Sequence, residues 1–250
     1  MLTSTDPAEA SSWQQSAGPQ GSAVSCPTTS FCVAGNQALG GDIQIGTPPV
    51  ATATTITSAA ASAVVGQPVT VGVEVTSAQA GTGAATPGGT ATITAGSSTC
   101  SATLSGSAGV AAGSCEITEP APGSYQVSAS YAAQGIFASS ASSAGSLLRV
   151  GKAAARVRLK LSASRVRYGR EHSERLTVTV TPQFAGTPGG EIVVLNGSKT
   201  VCSRHLSMSK ASCLLANRQL RPGRYRLRVR YDGNSDFMPA FSGYERLRVT

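Results

Sequence analysis

Two segments of the chain, 100 residues apart, align without a gap. Pro122–Phe137 reads PGSYQVSASYAAQGIF, and Pro222–Phe237 reads PGRYRLRVRYDGNSDF. Upstream of them, TPGGTATITAG at Thr86–Gly96 matches TPGGEIVVLNG at Thr187–Gly197. Because one sequence pattern occurs twice, the 250 residues are predicted to form two similar domains rather than one large core.

Each copy alternates apolar and polar residues with the period of two that indicates half-buried strands. Examples are VTVGVEV at Val69–Val75 and LTVTV at Leu176–Val180. Turn-forming Pro-Gly pairs, such as Pro122–Gly123 and Pro222–Gly223, separate these strands. No segment has the pattern of an amphipathic helix. We therefore expect an all-β fold of two tandem antiparallel β-sandwiches with about seven strands each.

The repeat also divides the chain. We predict a cysteine-containing, partly disordered segment over residues 1–46, an extended Pro-containing linker over 47–54, a first sandwich over 55–150 and a second over 151–250. The connection between the two copies is short, so the domains are expected to lie end to end. The apolar runs are only a few residues long, so no membrane span is expected.

Charge is divided as unevenly as the repeat is regular. Residues 1–148 contain no Lys or Arg and six acidic residues, a formal charge of −6. Residues 149–250 contain all 20 basic residues and six acidic ones, a formal charge of +14. An asymmetry of this size indicates two modules with different surfaces, although the fold repeats.

The six cysteines fall in three pairs close in sequence. The internal repeat favours local disulfides between the members of each pair: Cys26 and Cys32, Cys100 and Cys115, and Cys202 and Cys213. For the last two pairs we expect cross-strand bonds within hairpins, and zinc is the rival interpretation. Disulfides indicate an extracytoplasmic compartment. Because MLTSTDPAEASSW lacks the features of a signal peptide, we expect that Met1 is not the first residue of the exported polypeptide, or that the chain is a fragment of one.

These motifs resemble a known class of domain. A Gly-Gly strand, a Cys-to-Cys segment, Pro-Gly-x-Tyr and the turn Asp232–Phe237 (DGNSDF) are similar to the tandem Ig-like repeats of bacterial surface and secreted proteins, of the actinobacterial type. The first copy departs from that turn, with AAQGI before Phe137. The resemblance covers about 200 residues. It implies Ig-like sandwiches and a stalk, spacer or adhesion role at the cell surface, and it names no ligand.

The N-terminal segment carries a second, shorter resemblance. SCPTTSFCVAG at Ser25–Gly35, preceded by Trp13, resembles one unit of the Cys-containing propeller-like repeats of actinobacterial exported proteins. A propeller needs several blades to bury its faces. One unit therefore implies a remnant, which neighbouring domains of a longer chain would complete.

Arginines alternate with apolar residues on several strands of the second copy, above all in RYRLRVRY at Arg224–Tyr231. If these strands share a sheet, their outer positions form one positive face that attracts anionic cell-wall polymer, polysaccharide or other polyanions. The candidate residues are Arg224, Arg226, Arg228, Arg230, Arg156, Arg158, Arg246 and Arg248. The competing interpretation is that these arginines only keep an exposed sheet soluble.

A specific nucleic-acid site is not expected on this face. No aromatic residue interleaves with the arginines along the sequence, so bases would have no stacking platform. The first copy carries Ser, Gln, Ser and Ser where RYRLRVRY has its four arginines. The fold therefore does not require them.

Other candidates for chemistry are weaker. Asp232–Asp236 has the D-x-N-x-D spacing of calcium loops, but it also reads as a turn. Ser203, His205 and Asp232 have no nucleophile-elbow context, and Glu171 and Glu174 are expected in an exposed connection. We therefore predict no enzyme, no metal and no cofactor.

Two tyrosines are expected to form structural hydrogen bonds near turns. Tyr125 and Tyr225 follow Pro-Gly, where a tyrosine corner forms in Ig-like domains.

The expected function is a non-catalytic extracellular or cell-wall-associated spacer or adhesion module. The alternative is a binding module whose basic second domain holds anionic cell-envelope polymer or polysaccharide.

Overall fold

Both repeat copies fold into β-sheets, in a computed structural model that describes residues 49–142 and 146–250, together with the backbone of five strands before residue 47. Those five strands form a two-stranded sheet, β1–β2, and a three-stranded antiparallel sheet, β3–β4–β5. Their bounds are β1 Leu2–Ser4, β2 Trp13–Gln15, β3 Ala23–Thr28, β4 Phe31–Gly35 and β5 Ile43–Gly46. The predicted pairing of Cys26 with Cys32 and the predicted disorder of 1–46 lie outside the residues whose side chains are described.

Domain 1 consists of a larger sheet, β10–β9–β13–β15–β7 with β14 on β13, and a smaller sheet, β11–β12–β8–β6. Its first strand starts at Thr52, inside the segment predicted as a linker. The strands are β6 Thr52–Ser58, β7 Ser62–Val64, β8 Val69–Ser77, β9 Thr90–Ala95, β10 Ser98–Thr103, β11 Ser105–Ser107, β12 Val110–Ile117, β13 Gly123–Tyr131, β14 Ser140–Ala141 and β15 Ser146–Gly151.

Domain 2 repeats this arrangement. Its larger sheet is β20–β19–β22–β24–β17 with β23 on β22, and its smaller sheet is β16–β18–β21. A 3-10 turn at Glu171–Ser173 precedes β18. The strands are β16 Ala155–Leu161, β17 Arg165–Val166, β18 Arg175–Pro182, β19 Glu191–Asn196, β20 Lys199–His205, β21 Lys210–Leu214, β22 Gly223–Tyr231, β23 Ala240–Phe241 and β24 Glu245–Val249.

Both domains are Ig-like β-sandwiches. Within the described residues, each has seven strands of five or more residues, and its shorter strands pair at the edges. Among the described strands, all pairs are antiparallel except β7 with β15 and β17 with β24, which are parallel. The strand order, with one sheet of six strands and one of four or three in each domain, matches the two-sheet arrangement of Ig domains. The predicted fold class is therefore confirmed.

The core forms where the alternating pattern predicts it. In domain 2, Leu227, Val229 and Tyr231 of β22 are fully buried, while the arginines between them point to the outer face. Burying one such aliphatic side chain contributes roughly 1.5–3 kcal/mol. The tyrosine corners are also confirmed, since the Tyr125 hydroxyl donates to the Ala121 carbonyl at 2.8 Å and the Tyr225 hydroxyl to the Arg221 carbonyl at 2.6 Å.

Disulfides join Cys100 to Cys115 and Cys202 to Cys213. The expectation of cross-strand bonds within hairpins is wrong, because in each pair the two cysteines lie on different sheets. Cys202 is on β20 of the larger sheet, and Cys213 is on β21, which pairs with β18 in the smaller sheet. The chain crosses between the sheets at residues 206–209, where Met208 and Ser209 have positive φ. Each disulfide therefore clips the two layers of its sandwich together.

Candidate functional site

The outer face of the larger sheet of domain 2 carries rows of arginines. Along β22, the odd positions from Tyr225 to Tyr231 turn toward the core, and the four arginines alternate with them. On β24, Leu247 and Val249 are buried, so Arg246 and Arg248 lie on the outer side. We call this surface the arginine face; its members are Arg165, Arg224, Arg226, Arg228, Arg230, Arg246 and Arg248.

The strand register places these arginines opposite one another. Arg224 pairs with Arg248, which also pairs with Arg165 on the other side, so one row of three arginines crosses three strands. Arg226 pairs with Arg246 in the next row. Like charges directly opposite one another in a sheet destabilise it. The arginine face is therefore an arrangement that folding alone would not favour.

Two of the predicted residues are not part of this face. Arg156 and Arg158 lie on β16, in the smaller sheet, with their outer face on the opposite side of the sandwich. There they line a shallow depression with Thr179 and Thr181. The prediction of one common face was wrong for this pair because sequence alternation gives the inner and outer sides of a strand, but not the sheet to which the strand belongs.

Aromatic rings lie on the arginine face, contrary to the sequence-based expectation. The guanidinium carbon of Arg228 lies 4.5 Å from the ring centre of Phe241 and 5.5 Å from that of Tyr244, and that of Arg226 lies 4.5 Å from Tyr244. Both rings are about half exposed. They precede and follow the turn between β23 and β24, so the fold, and not the sequence order, brings them beside β22.

Few acidic groups neutralise these arginines. Among the described residues, the one salt bridge joins the Nε atom of Arg230 to Asp232, at 2.6 Å. Glu171 and Glu174, expected in an exposed connection, are instead buried: Glu171 accepts from the Arg218 amide and Glu174 from the Ala163 amide. Burial raises the pKa of Glu171, but backbone hydrogen bonds lower it further, and its pKa is lowered overall. These two carboxylates serve the loop structure.

Domain 1 provides an internal comparison for the arginine face. The same outer positions of β13 hold Ser124, Gln126, Ser128 and Ser130, and the Ser128 hydroxyl shares a hydrogen bond with Thr94. The position of Phe241 on β23 is occupied by Ala141 on β14, by the register of the two strand pairs. The four arginines of β22 and the ring of Phe241 thus have no counterparts in domain 1, although Arg149 on β15 occupies the position of Arg248.

The remaining sequence candidates have structural partners. In Asp232–Asp236, the side-chain oxygen of Asn234 accepts from the amides of Asp236 and Phe237, which is the geometry of a turn. Ser203 donates to Glu191, and Asp232 pairs with Arg230, so the described geometry does not assemble Ser203, His205 and Asp232 into a triad. No helix in the described part of the chain has the length and hydropathy needed to cross a bilayer.

One buried carboxyl group in domain 1 lacks hydrogen-bond partners. Glu119 is 3% exposed, and neither of its carboxyl oxygens accepts a hydrogen bond from the described protein groups. Burial raises the pKa of Glu119, an effect larger than the opposing effect of the nearby Ser98 hydroxyl. Three residues before the Pro-Gly of domain 2, the corresponding Gln219 accepts from the Ala216 amide and donates to the Val201 carbonyl.

We expect Glu119→Gln to stabilise domain 1 at neutral pH by about 1 kcal/mol, roughly the value of one satisfied hydrogen bond. Because the folded pKa of Glu119 is raised, its protonated form contributes stability below the unfolded value of 4.5, and this is lost as pH rises through the folded pKa. The glutamine variant should lack this pH dependence. Thermal unfolding of the variant and the wild type from about pH 4 to about pH 7.5 measures the gain in stability and its pH dependence. The prediction is contradicted if the variant's advantage over the wild type is no larger at about pH 7.5 than at about pH 4.

Comparisons with known proteins give no family for this chain. No family model matches it, and no curated protein matches it. Among solved structures, it is similar to the fibronectin(III)-like modules of Clostridium thermocellum CbhA, with 16% identity over 78% of this chain and 92% of that one, and a TM-score of 0.30.

Two bacterial adhesins are also similar. For the Yersinia pseudotuberculosis adhesin InvE, the identity is 10%, over 80% of this chain and 58% of that one, with a TM-score of 0.33. For the Escherichia coli adhesin FdeC, the identity is 12%, over 88% and 74%, with a TM-score of 0.31. The fold of this chain is defined by its own strand order and register.

Proposed function

We propose that the chain is a non-catalytic spacer or adhesion module of an extracellular or cell-wall-associated protein. The main support is the joint between the two domains, at Gly151 and Ala153, because backbone hydrogen bonds connect it to both domains. A disulfide in each sandwich favours an oxidising compartment. The resemblance of the motifs to bacterial Ig-like repeats is in keeping with this function.

Backbone hydrogen bonds hold the joint on both sides. The Gly151 carbonyl, at the end of β15, accepts from the Val65 amide of domain 1. Two residues later, the Ala153 amide donates to the Asp236 carbonyl, and the Ala153 carbonyl accepts from the Met238 amide of domain 2. Ala153 is fully buried. Hydrogen bonds therefore restrain almost all of the backbone of the connection. A spacer of fixed length requires such a restrained connection.

The same connection occurs at the start of domain 1. The Val50 amide donates to the Ile136 carbonyl, and the Val50 carbonyl accepts from the Ala138 amide, in the arrangement that Ala153 makes one repeat later. The chain thus enters both sandwiches in one geometry. Repetition of one rigid connection is what a linear array of domains needs.

The joint includes a close contact between the two domains at Gly66. Gly66 has a φ of +74°, and a Cβ atom built on it would lie 2.1 Å from the Ala185 carbonyl oxygen of domain 2. Its counterpart in domain 2, Gly169, has a φ of +79° and nothing within 4 Å. The two glycines share the same backbone requirement, but only Gly66 lies at the joint.

We expect Gly66→Ala to loosen the joint and Gly169→Ala to leave it unchanged. Both substitutions should destabilise their own domain by about 1 kcal/mol because alanine disfavours positive φ. Only Gly66→Ala should also broaden the distribution of interdomain distances in small-angle X-ray scattering and speed hydrogen exchange at Ala153. Equal scattering changes in the two variants would contradict a rigid joint and with it the spacer function.

A second candidate function is favoured by the arginine face. We infer that domain 2 binds an anionic cell-envelope polymer or polysaccharide there, because opposed arginines with one neighbouring carboxylate would gain stability from a bound polyanion. Retention of the full chain on immobilised heparin at low salt, and its loss at moderate salt, tests this function, since exposed charge interactions are screened within about 10 Å at 0.1 M salt.

A further inference from the structure

The aromatic rings on the arginine face narrow the class of ligand. We propose that Arg226, Arg228, Phe241 and Tyr244 form a binding site for a carboxylated polysaccharide, whose carboxylates bind the guanidinium groups and whose sugar rings pack on the aromatic surface. This inference rests on the proposed binding of a polyanion by domain 2. It adds to that function a site, a chemistry and a role for the rings.

The rings place the guanidinium groups for binding. A guanidinium over an aromatic face is held by the ring quadrupole, and its N–H groups point outward in the plane of the group, where they can bind a carboxylate with two parallel hydrogen bonds. Arg228 lies within 5.5 Å of both ring centres. Its Nε atom is buried and has no hydrogen-bond partner among the described residues. Less side-chain freedom remains to be lost when an anion binds such a group.

The exposed apolar surface points to a ligand with apolar faces of its own. Phe241 is 53% exposed and Tyr244 49%. A cluster of exposed apolar side chains commonly marks an interaction site. A phosphate-linked polymer without rings would use the arginines and leave this surface in water. A polysaccharide alternates charged groups with sugar rings whose C–H faces can pack on it.

The shape of the face favours a sugar chain over a single-stranded nucleic acid. Base stacking needs an open aromatic face, whereas two arginines already lie over Tyr244 and one over Phe241. A ligand can contact only the half-exposed remainder of each ring, where the C–H groups of a sugar can pack without stacking. The arginines on β22 recur at every second residue, about 6.8 Å apart along the strand. An extended chain lying along β22 would meet these charges in sequence.

Domain 1 indicates that the site is not a requirement of the fold. At the positions of Arg226, Arg228 and Phe241 it has Gln126, Ser128 and Ala141, and it forms the same sandwich. The charged and aromatic members of the site therefore occur together in one copy. Substituting the residues of domain 1 into domain 2 removes the site with residues that this fold already accommodates.

The test measures binding of a fluorescent oligogalacturonate to the full chain by anisotropy at low salt. We expect Arg226→Gln/Arg228→Ser to weaken binding at least 10-fold, and Phe241→Ala/Tyr244→Ala to weaken it roughly 5- to 30-fold by removing cation–π contacts and sugar packing. The matched control, Arg156→Ser/Arg158→Ser, removes the same charge from the opposite sheet and should change affinity less than 3-fold, as roughly expected for loss of distant charge. Thermal unfolding of each variant verifies that it folds.

Other probes separate failure of this site from failure of the proposed polyanion function. Tighter binding of oligothymidylate or polyphosphate than of oligogalacturonate would overturn the sugar assignment while retaining an anionic face. Binding that both arginine variants reduce equally, or that the aromatic variant leaves unchanged, would overturn the site. If neither oligogalacturonate nor heparin binds at low salt, the site and the polyanion function both fail.

Discussion

Replacing Cys202 and Cys213 with alanine is expected to lower the free energy of unfolding of domain 2 by about 3 kcal/mol. The bond closes a loop of 11 residues and joins β20 to β21 across the two layers. In the chain-entropy account, its loss gives the unfolded chain more conformations. In the folded state, the two edge strands then remain linked covalently only by the backbone of residues 206–209.

Denaturant unfolding, followed by the intrinsic fluorescence of the tyrosine-containing domains, measures this effect. The corresponding pair in domain 1, Cys100→Ala/Cys115→Ala, closes 15 residues and is expected to show a similar loss in its own transition. Each double variant should leave the other domain's transition in place. A loss below about 1 kcal/mol in both would indicate that the layers hold together without the clips.

Phe237→Ala is expected to lower the free energy of unfolding of domain 2 by about 3–5 kcal/mol. Phe237 is 2% exposed, and its ring lies close to Gly186, where a Cβ would be 2.9 Å from the Cζ atom of the ring. It also follows Asp236, whose carbonyl holds Ala153 at the joint. Loss of the ring leaves a cavity beneath the loop that anchors the domain connection.

Phe241→Ala is the matched control, since it removes the same side chain from an exposed position four residues later. Surface substitutions change stability by about 0.5 kcal/mol or less, and the loss of one cation–π contact adds about 0.5–1 kcal/mol. Calorimetry should therefore separate the two variants clearly. Equal destabilisation would mean that Phe241 belongs to the core and that the arginine face has been assigned wrongly.

Local pattern and internal repetition made the fold predictable. The alternation in LTVTV and RYRLRVRY identifies the buried sides of β18 and β22, as their burial patterns confirm. Tyr125 and Tyr225 follow a local Pro-Gly signal, so their hydrogen bonds could be anticipated. All of these properties depend on neighbours within a few residues along the chain.

Properties that depend on which sheet a strand joins were not predictable. The segment between Cys202 and Cys213 reads as a hairpin, yet its two strands belong to different layers. Arg156 and Arg228 have the same local pattern but lie on opposite sides of the sandwich. Phe241 and Tyr244 meet β22 only because β23 and β24 pair with it. Adjacent antiparallel strands lie within roughly 20 positions of one another in the sequence. A search for aromatic residues in that window around the arginines would have found Phe241 and Tyr244.

The local span of each disulfide determines how the chain would respond to tension. A force applied between the ends of the protein can extend every residue that lies outside the covalent loops. The two cysteines of each loop are separated by only 15 positions in domain 1 and 11 positions in domain 2. If one sandwich unfolded under force, most of its residues would extend, whereas the residues inside the disulfide loop would not. The unfolding domain would therefore lengthen before the backbone of the rest of the chain is strained.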